Sequence, residues 1–516
     1  MISFPPFQKP VLCVAICALF AATGTAQTES AANSRVDELE RRLNDQAAII
    51  AELQAELQKR RSNVSQDDAA QSEQEPVGKP LTVPCPDECG EATNGKKTVP
   101  VVVEQKTNSS CGEEDVPSKF KLNYVADYKN GFLIRPVDSK SHPFQLKVNG
   151  WIQFRHTAFA KDRNTWTDNT GTTRAIRNRN VFDVERSRLV FSGFAQDPKL
   201  TYFLQLDGDT DGRHAVDFFD YWWAWKFSDA LRIQVGKRKV PGSRQWLLGA
   251  RDTRFSERPL ATDYFRPDRS LGIFATGEPA DGLFYELMFG NGYRVANRTP
   301  AEMNNKFAFS GTMYREVNGP FGKGLTDHNC SCEPLFRFGH SFTWAAQQGL
   351  DAAGAPLRET DFVRLTDGTR LVQTGALGAG TTISEFDVYL YTVDAAFKYR
   401  GWSLNTEFYF RWLQDLQGNG PVTHNTLSQN GLIAEGGRVI IPKKLDWNAR
   451  YSQVRGPFGD TSEFGVGVNW YPLDNQKLKL AFDVSHVDGS PLNATPTEYL
   501  VGDAGTLFRT MFQAEF

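Results

Sequence analysis

From about residue 144 onward, apolar and polar side chains alternate one for one along the chain. In FQLKVNGWIQF, Phe144, Leu146, Val148, Ile152 and Phe154 share one face. Gln145, Lys147, Asn149, Gln153 and the following Arg155 share the other, together with Trp151. KLTYFLQLD sets Leu200, Tyr202, Leu204 and Leu206 against Thr201, Gln205 and Asp207, and LFYELMF sets Leu283, Tyr285, Leu287 and Phe289 against Glu286. GWSLNTEFYFRWL sets Trp402, Leu404, Phe408, Phe410 and Trp412 against Ser403, Asn405, Glu407 and Arg411. KLKLAFDVS and the closing LFRTMFQAEF repeat the pattern, the latter with Phe508, Phe512, Ala514 and Phe516 on the apolar side and Arg509, Gln513 and Glu515 on the polar side. A period of two marks a strand with unlike faces. A water-soluble sandwich also alternates. Many such strands in succession, with aromatic apolar faces and no separate core helices, fit a cylinder that is apolar outside and wet inside. Turn signals at Arg400-Gly401 and Tyr471–Asn475 join neighbouring strands, and the Gly- and Asn-rich stretches 318–334 and 413–437 are expected to be extracellular loops. Dividing roughly 370 residues by about 23 per strand and connection gives about 16 strands, an even number as the class requires. The expected fold is therefore an all-β transmembrane barrel of about 16 antiparallel strands over residues 119–516, preceded by a helical coiled coil.

The N-terminal part reads differently. Lys9 precedes a short apolar run, Val11 to Ala22, and Gly24-Thr25-Ala26 supplies small residues for cleavage, so residues 1–26 are expected to be a signal peptide. Residues 35–61 carry a seam of Val36, Leu39, Leu43, Gln46, Ile50, Leu53 and Leu57, spaced alternately three and four apart. That spacing is the heptad of a coiled coil, here expected in the periplasm, with Gln46 as a polar register-setting position. Three strands would suit a homotrimer. Residues 62–118 are rich in Ser, Asn, Gln, Pro, Glu and Lys and are expected to be a disordered linker. Cys13 and Cys17 would leave with the signal. Of the other five, Cys85 could pair with Cys89 or Cys111 in an oxidising compartment, and Cys330 and Cys332 fall in no clear strand.

Composition changes this picture only in places. Apolar residues make up 40 % of the 516 and mean hydropathy is -0.44, which would suit a water-soluble chain. A strand that alternates lipid-facing and lumen-facing residues has modest average hydropathy even in a membrane. The net charge of -3 gives no general attraction to nucleic acid. There is no nucleophile elbow, HExxH or phosphate loop, so no enzyme, cofactor or metal site is expected. The local charge is informative. Arg232, Lys237, Arg238, Lys239, Arg244, Arg251, Arg254 and Arg258 are opposed only by Asp252 and Glu257, and an earlier group holds Arg174, Arg177, Arg179, Arg186 and Arg188. In a narrow channel such charges lower the barrier for anions, and the planar fork of Arg suits phosphate. The alternatives are pairing with Asp and Glu across the lumen, or contact with lipopolysaccharide.

The order of motifs resembles the phosphate-selective porin O/P family. FQLKVNGWIQ, VERSRLVFSG, KLTYFLQLDGD, DFFDYWWAWKF, LRIQVGKRKVP and TRFSERPLATDYF are followed by VNWYPLDNQKLKLAF and the terminal Phe516, so the resemblance covers roughly 144–275 and 464–516. Bacterial outer-membrane barrels commonly end on such a phenylalanine. The resemblance implies a porin of the cell outer membrane, in contact with its lipid, that passes small anions such as phosphate by diffusion. It places Arg258 of SERPL at the constriction and Asp220 near the anion path. Arg186 of VERSR matches one of a pair of arginines, with Glu185 replacing the other, and Trp151 stands where a lumen arginine is expected. Arg188 is added as a pathway residue, with Lys237, Arg238 and Lys239 as a further cluster. A second reading is structural, with coiled coil and linker tethering the outer membrane to the cell wall and the barrel as anchor.

Overall fold

The structure, a computed structural model, describes residues 124–138, 143–208, 216–293, 305–351, 354, 356–357, 362–473, 475–493 and 498–516. The expected signal peptide, coiled coil and linker, with Cys85, Cys89 and Cys111, lie outside the described residues.

The alternating segments form strands. In chain order they are β1 (Tyr124–Tyr128), β2 (Phe132–Pro136), β3 (Phe144–Lys161), β4 (Thr165–Thr167), β5 (Thr173–Ala175), β6 (Arg179–Ala195), β7 (Asp197–Asp207), β8 (Asp217–Lys226), β9 (Arg232–Lys239) and β10 (Arg269–Ala280). Then follow β11 (Leu283–Gly290), β12 (Ala308–Val317), β13 (Leu335–Gln348), β14 (Ile383–Tyr399), β15 (Trp402–Gly418), β16 (Leu427–Ile441), β17 (Leu445–Gly456), β18 (Gly459–Trp470), β19 (Leu478–Asp488) and β20 (Gly505–Glu515). β3 and β6 to β20 pair antiparallel in sequence order, and β20 returns to β3 with Gly505 opposite Lys161 and Glu515 opposite Trp151. The result is a closed barrel of 16 strands with no free edge. β1 and β2 form a hairpin outside the ring. β2 pairs with β3 at Leu146 to Val148, just beyond the point where β20 ends, and Phe132 sits 5.9 Å from the ring of Phe516. No helix of the described residues is long and apolar enough to cross a membrane, which says nothing of a barrel.

The faces follow the alternation. On β15, Phe408 is 45 % exposed on the outer wall, whereas its neighbours Glu407 and Tyr409 are fully buried in the lumen. Phe508, Phe512 and Phe516 lie outside, and Arg509 and Gln513 inside, at the end of the chain. Arg400 and Gly401, with φ of 47° and 79°, make the two-residue left-handed hairpin that suits the twist of β14 and β15.

Successive connections alternate between the two ends of the barrel. Phe516 ends beside the connection 471–477, where Glu515 N donates to Lys477 O at 2.8 Å. This end, the turn end, also carries 227–231, 281–282, 400–401 and 442–444. The opposite, loop end carries 162–178, 240–268, 349–382 and 489–504. The stretch 318–334 joins β12 to β13 and so lies at the turn end, not among the long loops as expected. Phe321, Leu325 and Asp327 are buried there, and Lys398 Nζ donates to Phe321 O at 2.9 Å and Gly324 O at 2.7 Å. The stretch 413–437 is mostly wall, since β15 runs to Gly418 and β16 begins at Leu427, leaving only 419–426 as a connection. The apolar core sits inside the cylinder. It is built by Leu260, Ala261 and Phe265 of the 240–268 connection and by Val363, Leu365, Leu371, Val372 and Leu377 of 349–382.

Candidate functional site

Residues 240–268 cannot continue a sheet. Pro241, Pro259 and Pro267 lack the donor a ladder needs. Ser243 caps a helical turn, α1 (Arg244–Leu247), by accepting from Trp246 N at 3.2 Å, and α2 (Leu260–Phe265) follows Pro259. The segment folds into the lumen and leans on one wall. Arg244 N and Gln245 N donate to the Glu407 carboxylate of β15 at 2.9 and 3.0 Å. Leu260 N donates to Glu463 Oε2 of β18 at 2.7 Å, Ala261 N to Ser452 Oγ of β17 at 2.9 Å, and Ser256 N to Asp483 Oδ2 of β19 at 3.0 Å. Lumen acids thus accept the orphan N–H groups at the starts of both helical turns. Phe265 stacks on Tyr409, and Phe255 lies under the guanidinium of Arg450 at 4.1 Å. Arg450 in turn is held by Glu435 and Glu463.

With that side filled, the space left lies against β6 to β10. A cavity of about 150 Å³ there is lined by Glu185, Arg186, Arg188, Asp207, Phe219, Lys239, Trp246, Arg258, Arg266, Asp268 and Arg269. Six basic side chains face three acids, a net of three positive charges. Each cation is fixed in place. Arg188 pairs with Asp207 at 2.7 Å and stacks between Trp151 and Phe219. Arg269 pairs with Asp220 at 2.7 Å over Phe219, and Arg266 pairs with Asp263 at 2.6 Å beside Trp246. Lys239 Nζ donates to Trp246 O and Leu248 O, and Arg258 Nη2 donates to Leu248 O at 2.7 Å. Arg186 donates to Glu257 Oε2 at 3.0 Å.

The sequence-derived residues divide accordingly. Arg186, Arg188, Lys239 and Arg258 come together around this cavity. Asp220 stands behind it as the partner of Arg269. Lys237 and Arg238 are outside it: Lys237 Nζ donates to Phe218 O at 3.2 Å, and Arg238 pairs with Glu286 of β11 at 2.6 Å. Arg266, Arg269, Trp246 and Phe219 were not singled out by the sequence. The two arginines continue the basic run past Arg258, on either side of Pro267-Asp268, and that continuation was the available signal. Trp151, in place of a lumen arginine, supplies an aromatic face to Arg188 instead.

Electrostatics mark the loop side of this site. Burial, and then the neighbouring Arg186, push Arg258 down to about 9 against the partial relief of Glu257. Burial would raise Glu257, but Arg186 and Arg155 outweigh it and hold the carboxyl well below the usual range. Crowded, desolvated guanidinium is relieved most directly by an anion. The carboxylates of Asp183, Glu185 and Glu498 also converge, within 4.8 Å. Arg155 Nη2 stands among them at 2.8, 2.8 and 3.1 Å, so a guanidinium occupies the place a cation would take.

Two larger basic cavities lie toward the ends. One of about 470 Å³ at the turn end is lined by Lys147, Arg251, Lys323, Lys477 and Lys479 with Asp252 and Glu515. One of about 600 Å³ at the loop end includes Arg174, Arg177, Arg179, Arg364 and Arg370.

The model of the family described as phosphate-selective porin O and P matches residues 162–317, a span that holds Arg186, Arg188 and the whole 240–268 segment. No curated protein matches the chain. Among solved structures, the chain is similar to the anion-selective porin from Comamonas acidovorans, at 11 % identity over 72 % of this chain and 99 % of that one, with a TM-score of 0.47. It is also similar to OmpT of Vibrio cholerae, at 12 % identity over 72 % and 98 % with a TM-score of 0.43. OprB of Pseudomonas putida stands at 9 % identity over 72 % and 94 % with a TM-score of 0.42.

Proposed function

We propose that this chain, with its phosphate-selective porin O and P segment set in a closed 16-strand barrel, is an outer-membrane porin that passes small solutes by diffusion and prefers anions, phosphate among them. The observation that carries the preference is the net positive lining of the 150 Å³ cavity. The β3–β6 wall extends it. Arg179, Arg186 and Arg188 follow one another along β6, and Lys147 faces Ser192 four positions beyond Arg188. At about 3.3 Å per residue, these charges mark the wall at steps of roughly 7 to 23 Å. An anion leaving one is already near the field of the next, which is how a pore can attract an ion without trapping it. Arg186 and Arg258 would act at the narrowest point, with Arg188 and Lys239 beside them, and Asp220 would position Arg269.

Short connections at the Phe516 end suit the periplasm, and the long ones the cell exterior. We further propose that residues 1–26 direct export, that 35–61 join three copies as a periplasmic coiled coil, and that 62–118 link it to the barrel. Planar-bilayer recording in a potassium chloride gradient tests the main reading. A reversal potential on the anion side is expected. Equal permeabilities would end the anion preference, and absence of channels would end the pore. Deleting residues 35–61 should abolish any trimer while leaving channels open.

A further inference from the structure

We propose that the 240–268 segment sets the ion preference of the pore by covering acids. Glu407, Asp446 and their acidic neighbours on β15 to β19 are then specificity-determining residues, without effect while the segment is seated and favouring cations once it is displaced. This rests on the pore reading above.

The lumen has two walls of opposite sign. Among the described residues, the lumen faces of β15 to β19 carry five acids. Glu407, Glu435, Asp446 and Glu463 are fully buried, and Asp483 is 3 % exposed. Three buried cations stand among them, Arg411, Arg450 and Lys479, which leaves a net of two negative charges on these strands. Across the lumen, β6 to β10 give the 150 Å³ cavity Arg186, Arg188, Lys239 and Arg269 against Glu185 and Asp207, a net of two positive. The segment lies on the negative wall. Its own contribution is small, since residues 240–268 hold five arginines and four acids, a net of one positive. Displacing it would remove that one charge and uncover two of the opposite sign.

The acids are held in a way that hides charge rather than cancels it. Glu407 accepts from Arg244 N, Gln245 N and Tyr409 Oη at 2.9, 3.0 and 2.8 Å. Asp446 accepts from Asn469 Nδ2 at 2.8 Å and from Asn448 Nδ2. These neutral donors satisfy the carboxylate oxygens and bring no positive charge. The segment closes over Asp446 through the same two amides. Arg254 O accepts from Asn469 Nδ2 at 2.8 Å, and Arg254 Nη1 donates to Asn448 Oδ1 at 3.0 Å. Phe255, Leu260 and Phe265 pack over the rest of the wall, each no more than 1 % exposed. Once water reaches such carboxylates they are ionised at neutral pH and act on a passing ion directly.

The test uses the full-length protein in planar bilayers, with reversal potentials read in a dilute potassium chloride gradient. Gly431→Val changes no charge and suits a strand, but its side chain would stand where Phe265 does, because a Cβ there meets Phe265 Cε2 at 2.4 Å. It should raise conductance and move the reversal potential toward the cation side. A second displaced background, with residues 244–265 replaced by a short Gly-Ser link, is measured alongside and should do the same. Adding Asp446→Asn, whose Oδ1 can still accept from both amides, should restore anion preference in either background. One charge about 10 Å away in water changes each ion about twofold, so the anion-to-cation ratio should rise about fourfold. Asp446→Asn alone should leave the wild-type ratio unchanged. A merely wider pore would drift to equal permeabilities and take no notice of Asp446→Asn. The proposal is overturned if the displaced pores keep the wild-type anion preference, or if Asp446→Asn acts equally with the segment seated and displaced. Absence of channels from the wild type would refute the pore reading alone.

Discussion

Replacing Arg258 by Gln removes one of the six cations around the 150 Å³ cavity while keeping an amide that can still donate to Leu248 O, the acceptor Arg258 uses at 2.7 Å. The net lining charge then falls from three to two. An ion at the middle of a cavity of about 150 Å³ lies on the order of 6 Å from this guanidinium. With an effective dielectric constant of ~40, between bulk water and a protein surface, one unit charge at that distance is worth about 1.4 kcal/mol. That is roughly tenfold in the permeability of an anion and tenfold, with opposite sign, in that of a cation, so the anion-to-cation ratio should fall by up to about a hundredfold. Salt reduces this, because the Debye length is about 10 Å at 0.1 M and about 3 Å at 1 M. The assay is therefore the reversal potential across a bilayer in a dilute potassium chloride gradient, repeated at high salt. The shift should be large in the first and small in the second. Lys237→Gln is the companion measurement. Lys237 belongs to the same basic run but lies outside the cavity, so its ratio should stay near wild type. If Arg258→Gln kept the wild-type reversal potential in dilute salt, or Lys237→Gln shifted it equally, the assignment of the constriction would be refuted.

Three further outcomes follow from the same geometry. Glu257→Gln takes from Arg186 its nearer carboxylate, leaving Glu185 at 3.3 Å, and takes from Arg155 one of four, so it should raise anion preference and cost about 1–3 kcal/mol, read as a lower melting temperature in detergent. The depressed pKa of Glu257 means that its contribution is complete above the unfolded value of ~4.3 and is lost as pH falls below the usual carboxylate range; loop proteolysis should therefore rise in strong acid, and rise less in Glu257→Gln. Lys398→Met removes both donors that hold Phe321 O and Gly324 O, so the 318–334 segment should become protease-sensitive and single-channel conductance should rise.

The walls of this protein were legible because a strand has a two-residue period and a barrel gives each face one solvent. Phe408 and Glu407 are adjacent in sequence and separated by the wall, and the same holds for Phe508 and Arg509. The connections carry no such period. Whether 318–334 lies at the turn end or the loop end depends on counting every strand before it, not on its own glycines and asparagines. The basic run from Arg232 to Arg258 was visible as charge, but which members share a cavity was decided by Pro241, α1 and Pro259 turning the chain inward. That is why Lys239 and Arg258 are neighbours of Trp246 and Lys237 and Arg238 are not.

The glycine-rich β16 shows how the wall and its insert depend on each other. Its composition, QNGLIAEGGRVII, reads as loop when taken alone, yet it pairs with β15 over 427–438 and with β17 over 430–441. The glycines face what is packed against them. A Cβ at Gly431 would meet Phe265 Cε2 at 2.4 Å, and one at Gly437 would meet Asn448 Oδ1 at 2.4 Å and Arg254 Nη1 at 3.1 Å. Gly465 and Gly467 on β18 each leave room for Phe255, at 3.3 Å. β-Propensity is given up at these positions so that the side chains of the 240–268 segment can reach the wall. Once seated, that segment fills one side of the lumen and leaves the 150 Å³ cavity against Arg186, Arg188 and Arg269. Small residues on β16 and β18 thus set where the cations of the opposite wall are left facing open space, although none of them lines that cavity.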